Sequence, residues 1–368
     1  MLNNFYFDKK VLITGHTGFK GSWLSCWLHE LGAHTIGYAL KPPTTPNFFE
    51  TCNIEKRVTS ITGDVRDAHK LKIVMEKYKP EIVFHLAAQP LVRYSYTEPV
   101  ETYETNVMGT VNLLEACRHT PSVRVIIVVT SDKCYENHEW VRGYREDDSL
   151  GGYDPYSSSK GCAELISNAY VRSFFNPDNY EQHGVALATV RAGNVLGGGD
   201  WTEDRIIPDC VKALSENKPI VLRYPEAIRP WQHVLEPLYG YLLLGRHLYE
   251  SGQEFVGAWN FGSDDRDAKS VRWVVEQITK MWGAPLPITI KQGGNPHEAK
   301  YLKLDSSKAK SNLGWSPMWD LHYALTKTVE WYKAYYSYEP MVNTTIKQIR
   351  EYEESIYNKI NQYELQVL

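Results

Sequence analysis

Two short runs carry the chemistry of this chain, Thr130-Ser131-Asp132-Lys133 and Tyr156-Ser157-Ser158-Ser159-Lys160. Ser131, Tyr156 and Lys160 suffice to move a hydride between an alcohol and a nicotinamide. An ammonium beside a phenol favours the phenolate, which can then take the alcohol proton. Tyr156 and Lys160 stand one helical turn apart and share a face, and Asp154-Pro155 before them reads as a helix start. The string Tyr-x-x-x-Lys decides little by itself, since Tyr6-x-x-x-Lys10 matches it as well. Position decides: Ser131 closes the apolar run Val123–Thr130, where active-site residues of a parallel α/β sheet belong. Asp132 and Lys133 add an acid and a base directly beside this set. Alcohol oxidation does not need them, but a reaction that also eliminates water does.

A glycine loop supplies the second signal. Gly15-His16-Thr17-Gly18-Phe19-Lys20-Gly21 follows the apolar run Lys10–Thr14 and precedes a helical pattern from Ser22 to Leu31, built on Trp23, Leu24, Trp27, Leu28 and Leu31. The spacing is G-x-x-G-x-x-G. Glycines let the backbone approach a pyrophosphate, and the helix N-terminus offers free N–H groups and a positive dipole. The expected cofactor is NAD. The second strand, His34–Leu40, ends without the carboxylate that usually holds a ribose 2′-OH, and Lys41 follows, so NADP is not excluded. Asp64 in Gly63-Asp64-Val65 is placed to accept from an adenine amino group. Leu86-Ala87-Ala88-Gln89 ends the fourth strand with small residues that let the backbone pass close to a cofactor. Asn106, Thr130, Tyr156 and Lys160 complete the expected cofactor-binding set, with Val65.

These residues need an alternation of strands and helices to bring them together. Glu81–Leu86, Val123–Thr130 and Gly184–Arg191 are further apolar, β-branched runs, and Asn106–Arg118 has helical periodicity. Such alternation predicts an α/β fold, a Rossmann-type doubly wound parallel sheet with right-handed crossovers and a smaller C-terminal substrate domain. The expected dinucleotide-binding domain is 1–193, completed by about 226–262, and the substrate-binding domain is 194–225 and 263–368. Gly197-Gly198-Gly199-Asp200-Trp201 reads as a loop. A helical tail begins near Thr345, with a surface or subunit-contact helix as its default reading.

Composition sets the limits. The chain has 368 residues, with a net charge of -4, so nothing draws it toward nucleic acid or anionic membranes. No apolar run reaches the length of a membrane span, and MLNNFYFDKK lacks the apolar core of a signal peptide. The six cysteines form no CxxC or zinc pattern. They read as free thiols in a reducing cytosol, so the expected location is cytoplasmic and no metal site is expected.

Together the motifs resemble the extended short-chain dehydrogenase/reductase family, over nearly the whole chain from Val11 to Leu313-Gly314-Trp315. Asp132-Lys133 after Ser131 looks like the nucleotide-sugar 4,6-dehydratases within it, whose dTDP-glucose members carry Asp-Glu at these two positions. Thr-Ser-Asp-Lys-Cys-Tyr together with Gly-His-Thr-Gly-Phe-Lys-Gly is similar to the members that act on CDP-glucose. Arg229-Pro230-Trp231-Gln232-His233-Val234 and Arg191-Ala192-Gly193-Asn194-Val195 match substrate-side segments of that family. The resemblance implies C4 oxidation by Ser131, Tyr156 and Lys160, C5 deprotonation by Lys133, protonation of the leaving C6 hydroxyl by Asp132, and hydride return to C6. It implies substrate contacts at Gln89, Asn194, Arg205, Arg229 and His233. It also implies a homodimer through helical faces at Asn106–Arg118 and after Tyr156, and deoxysugar supply for bacterial surface polysaccharide such as lipopolysaccharide O-antigen. The rival readings are a 4,6-dehydratase acting on a dTDP- or GDP-linked sugar and a 4-epimerase on the same scaffold, which needs no acid–base pair.

Overall fold

The computed structural model describes residues 2, 4–284, 286–290 and 301–367, with side chains through 362. Parts of the expected substrate-binding segment, 285 and 291–300, and the terminal 368 lie outside the described residues. Seven strands form one parallel sheet: β1 (Lys10–Thr14), β2 (His34–Ala39), β3 (Thr59–Thr62), β4 (Ile82–His85), β5 (Val125–Val129), β6 (Ala186–Ala192) and β7 (Gly257–Phe261). Their order is β3-β2-β1-β4-β5-β6-β7. The chain therefore reverses its direction of travel across the sheet between β1 and β4, where such sheets open a crevice for ligands.

Residue parity explains why helices cover both faces. Val11, Ile13, Ile82, Phe84, Val125 and Ile127 point to one face. Leu12, Val83, Ile126 and Val128 point to the other. A strand apolar at both parities must be buried on both sides. The first face packs on α1 (Phe19–Glu30) through Trp23, Leu24, Trp27 and Leu28, and on α5 (Leu235–Glu250). The second packs on α2 (Ala68–Tyr78), α3 (Gly109–Arg118) and α4 (Pro155–Ser173). Each large apolar side chain so buried is worth about 1.5–3 kcal/mol.

The first helical boundary differs from expectation. The run expected at Asn106–Arg118 starts at Pro99 and passes through a π turn, Glu104–Met108, into α3. Pro99 sets that start, since its fixed φ and missing N–H suit the first turn.

Above the sheet, Ile228–His233 runs parallel to Asn194–Leu196 and antiparallel to Ala268–Ser270. Val271–Trp282 (α6), Leu321–Tyr336 (α7) and Met341–Val367 (α8) surround this layer. The tail helix thus starts four residues before the expected position. Its Tyr352 joins the same continuous core as Trp23 and Trp331.

Glu236, fully buried on α5, ties these parts together. Its carboxylate accepts from the Trp319 N–H at 2.8 Å, the Met318 N–H at 3.0 Å and the Tyr352 hydroxyl at 2.6 Å. Burial pushes Glu236 up to about 7 despite these bonds. An acid raised in the folded state stabilises below its unfolded value, and that contribution is lost as pH rises through the folded value. Wild-type stability relative to Glu236→Gln is therefore expected to fall by about 2 kcal/mol between pH 5 and pH 8. Paired thermal denaturation across that range measures it, and parallel curves would exclude Glu236 as the source.

Candidate active site

The turn from β1 into α1 lies against the end of β4 with no space for side chains. Gly15 has φ +78, and a Cβ there would sit 2.7 Å from the Ala87 nitrogen. A Cβ on Gly21 would sit 2.1 Å from the Gly15 oxygen. Helix α1 opens at Gly18 with no side-chain cap and no acidic residue in its first turn. Its first N–H groups are therefore left for an anion. Thr17 donates to the Leu40 carbonyl at 2.9 Å, and Phe19 packs on the core. His16 sits beneath Gly37, bonded to the Ser60 hydroxyl at 2.7 Å and held neutral by burial near 4. Its ring is used in packing the loop to β2, and its carbonyl accepts from the Ser22 hydroxyl at 2.8 Å.

Leu86, Ala87, Ala88 and Gln89 are part-exposed at the end of β4. Thr14 anchors this edge: its carbonyl takes the Leu86 N–H at 3.0 Å and its hydroxyl takes the Ala87 N–H at 3.3 Å. Asp64, on the far side, is bound by the Arg66 guanidinium at 2.6 and 2.9 Å, which holds its carboxyl below the usual range. Val65 is buried beside Gly109.

Two expected contact residues turn out to be braces. The Gln89 amide donates to the Leu91 carbonyl at 3.1 Å and to the Thr102 hydroxyl at 2.9 Å. Asn106 accepts from the Gln89 N–H at 2.8 Å and donates to the Gln89 carbonyl and to the Ser159 hydroxyl. The Gln89 amide ties the β4 loop to the helical turn Pro99–Tyr103, and Asn106 ties it to α4.

The five residues expected to do chemistry meet where β5 ends. Asp154 caps α4, accepting from the Ser157 N–H at 2.9 Å. That start turns Tyr156 and Lys160 onto one buried face, toward β5. Lys160 Nζ donates to the Val129 carbonyl at 3.1 Å. Ser131 donates to Asp132 at 2.9 Å and accepts from the Lys133 N–H at 3.2 Å in a short helical turn, Asp132–Cys134. Ser131 also stands near enough to the Tyr156 phenol to lower it against burial. Burial raises Asp132 above the usual carboxylate range, against the pull of Lys133, Arg229 and Lys20. That favours a protonated acid.

Tyr156 departs from expectation. Burial raises its phenol to about 12. The Lys160 ammonium donates to the Val129 carbonyl, and burial brings it down to about 8. Arg205 does lower Tyr156.

The layer over the sheet supplies cations. A Cβ on Gly193 would stand 3.4 Å from Asp132 Oδ2, so the segment leading to Asn194 passes directly over the acid. Asn194 pairs in register with Trp231, two residues from Arg229. Arg229 is buried and near enough to act on Asp132. Arg205 bonds Asp200 at 2.8 Å, and Tyr332 in turn holds the Asp200 main chain. His233 is a correction. Its ring is fully buried against Trp23 and Trp319, which leaves it no open face for a substrate. Arg191, expected on the substrate side, instead turns below the sheet edge to Glu164 at 2.8 Å.

Two neighbours, Asp200 and Glu164, escaped the sequence reading, and a third was placed too narrowly. Lys20, expected only at a cofactor, reaches the field of Asp132, Lys160 and Arg205, and is lowered to about 8, chiefly by burial. Asp200 holds Arg205. Glu164 lies one turn beyond Lys160, and that i,i+4 spacing was the available signal. Among the described residues all six cysteines are free thiols, and no helix is long and apolar enough to cross a membrane.

Residues 12–328 match the family model described as GDP-mannose 4,6 dehydratase. The chain belongs to this dehydratase family. It is 53% identical over 349 residues to a CDP-glucose 4,6-dehydratase of Salmonella typhimurium, covering 95% of this chain and 97% of that protein. A UDP-glucose 4-epimerase of Halalkalibacterium halodurans is 26% identical, covering 83% of this chain and 90% of that one. The fold of the dehydratase is that of a Bacillus anthracis dTDP-glucose 4,6-dehydratase solved with NAD, at TM-score 0.74 and 22% identity, over 90% of this chain and 99% of that one.

The Gly15 geometry gives a direct test. Gly15→Ala combines a positive φ with backbone overlap and is expected to cost at least about 1–3 kcal/mol of stability. It should also weaken dinucleotide binding by tenfold or more, on the order of 1.4 kcal/mol. Calorimetric titration with NAD and thermal denaturation measure the two effects, and unchanged binding would remove this loop from the cofactor site.

Proposed function

We propose that this dehydratase converts CDP-glucose to CDP-4-keto-6-deoxyglucose and water, with NAD as a recycled cofactor. The observation that carries this reading is the buried acid Asp132, joined to Ser131 and followed by Lys133, beside Tyr156. A 4-epimerase has no use for that pair. The CDP base is supported by the 53% identity to the Salmonella typhimurium protein. In this reading, residues 1–193 with about 226–262 hold the dinucleotide, and 194–225 with 263–368 bind the sugar nucleotide.

The residues present fit a dinucleotide. The side-chain-free turn at Gly15 and Gly21, the uncapped start of α1 and the crevice between β1 and β4 together suit a pyrophosphate. When bound, NAD supplies a hydride acceptor at C4 of the sugar and the donor that later reduces C6.

The chain's own residues handle the protons. Tyr156 takes the proton of the C4 hydroxyl while Ser131 bonds that oxygen. A phenol raised to about 12 yields its proton only beside positive charge, which Arg205 partly supplies. The 4-ketone makes the C5 hydrogen acidic, and Lys133 removes it. Asp132, kept protonated by burial, donates to the departing C6 hydroxyl. Lys133 then returns a proton to C5. Arg229, Arg205 and Asn194 face the diphosphate and sugar, since a guanidinium presents a fork to phosphate oxygens.

A homodimer fits the helical surface. Val100, Tyr103 and Met108 on the 99–118 run and Leu165 and Phe174 at α4 are exposed, and these helices pack side by side. Val100→Glu with Leu165→Glu is expected to yield monomers in light scattering where the wild type gives dimers. A wild-type monomer at micromolar concentration would end this reading.

The activity is tested with CDP-, dTDP-, UDP- and GDP-glucose, each with NAD and with NADP, by the alkaline absorbance of a 4-keto-6-deoxy sugar. CDP-glucose with NAD should lead the panel by at least tenfold, about 1.4 kcal/mol in transition-state binding. Faster turnover of another base, or a C4-epimer without ketone, would overturn the proposal. Tyr156→Phe should lower kcat by about 10²–10⁴. Lys133→Met in deuterated water should lose C5 exchange and product together; near-wild-type rates would assign the base elsewhere.

A further inference from the structure

We propose that Glu164 is a positioning residue for this reaction: through Thr130 it fixes the end of β5, and so Ser131 to Lys133, against the helix that carries Tyr156 and Lys160. The proposal rests on the reading of the site given above. Glu164 stands one turn beyond Lys160 on α4, on the same buried face, and its side chain is 3% exposed. Oε1 accepts from the Thr130 hydroxyl and from Arg191 Nε at 2.9 Å. Oε2 accepts from the Thr189 hydroxyl at 2.7 Å and from the second Arg191 nitrogen at 2.8 Å. Four donors fill the carboxylate. Arg191 continues to the Tyr135 hydroxyl at 2.6 Å and the Glu146 carbonyl at 3.2 Å. None of these groups has a place in the proton transfers.

Their geometry connects the two halves of the catalytic set. Val129 and Thr130 are consecutive at the strand end. Lys160 grips the first through its carbonyl and Glu164 grips the second through its hydroxyl. Two residues one turn apart on α4 therefore hold two successive residues of β5, and the next three are Ser131, Asp132 and Lys133. A buried ion pair is a weak source of stability, because dehydration offsets its attraction. Filled hydrogen-bond geometry, in contrast, fixes position, and a 1 Å error at a reacting group can cost about 10²-fold in rate. Glu164 also supports the charge of Lys160 against burial. His85 from β4 and Lys20 from α1 face the same ammonium.

Three variants and two readouts test this. Thr130→Val removes one bond to Glu164 at the strand that leads into the site. Thr189→Val removes an equivalent bond from β6, which carries none of the five catalytic residues. With CDP-glucose and NAD, Thr130→Val should lower kcat about tenfold with KM nearly constant, and Thr189→Val should stay within roughly twofold of wild type. Glu164→Gln should move the alkaline limb of the kcat profile to lower pH by about one unit, because Lys160 loses a favourable charge. The Lys160 ε-carbon titration, followed by NMR in ¹³C-lysine protein without substrate, should move by the same amount. Equal losses in the two threonine variants, or an unmoved Lys160 titration, would overturn the proposal. Should Glu164→Gln fail to fold, the threonine pair decides alone. A wild-type protein inactive on CDP-glucose would sink only the substrate reading, since the Lys160 titration needs no substrate.

Discussion

Desolvation governs the charge states where β5 meets α4. Burial is the largest cause of the shift at Asp132, Tyr156, Lys160 and Lys20, ahead of every pairwise charge. One physical effect therefore acts on four groups in directions set by their own chemistry. It makes acids weaker, so Asp132 keeps a proton to give and Tyr156 holds on to its own. It makes ammonium groups stronger acids, so Lys160 and Lys20 move toward neutrality. Pairing cannot do this, since it would drive carboxylate and ammonium alike toward their charged forms.

Strand parity and helix register create that dry place. β5 is apolar at both parities and lies inside the sheet between β4 and β6, so its end opens into covered space. The α4 start, fixed by Asp154 and Pro155, decides which face of the helix looks at that end. The lid of short strands around Asn194 and Arg229 then shuts water out from above. Glu236 extends the same logic: a buried carboxylate with three donors joins α5, the 318–319 segment and α8 into one body. The lid and the sheet share a continuous core.

Much of this was legible in the residues themselves. The parallel sheet followed from apolar runs alternating with helical periodicity, and the glycine turn from its position between β1 and α1. The proximity of Ser131 and Tyr156 followed from strand ends and helix starts. What was not legible depended on which way side chains turn. His233 and Arg229 share a parity on one strand, yet one is walled in by Trp23 and Trp319 while the other acts on Asp132. Arg191 sits in a substrate-like segment and turns to Glu164. Asn106 and Gln89 carry amides suited to a ligand and spend them on each other's loop. Sequence spacing gives the face of an element, but the partner on that face comes from distant chain.

The balance of charge around Asp132 carries the last step. Lys133, Arg229 and Lys20 act directly on it, and Arg205 and Lys160 act on Lys20. Against these five cations stand Asp132 itself, which burial favours in its neutral form, Asp200, which is committed to Arg205, and Glu164, which is committed to Arg191. The site is therefore electropositive before any ligand arrives, and like-charge repulsion adds to burial in lowering Lys20. On the proposed function, a nucleoside diphosphate brings two negative charges into this field, which gathers the anion and relieves the repulsion together. The same excess opposes a cationic oxidised nicotinamide. Cofactor affinity would then rest on the uncapped helix start and the bare glycine turn, where Lys20 in the first turn of α1 adds positive charge of its own. Lys20, in the first turn of α1 and in the field of Asp132 and Lys160, joins the anion-binding turn to the reaction centre, so an anion at either place relieves the same repulsion.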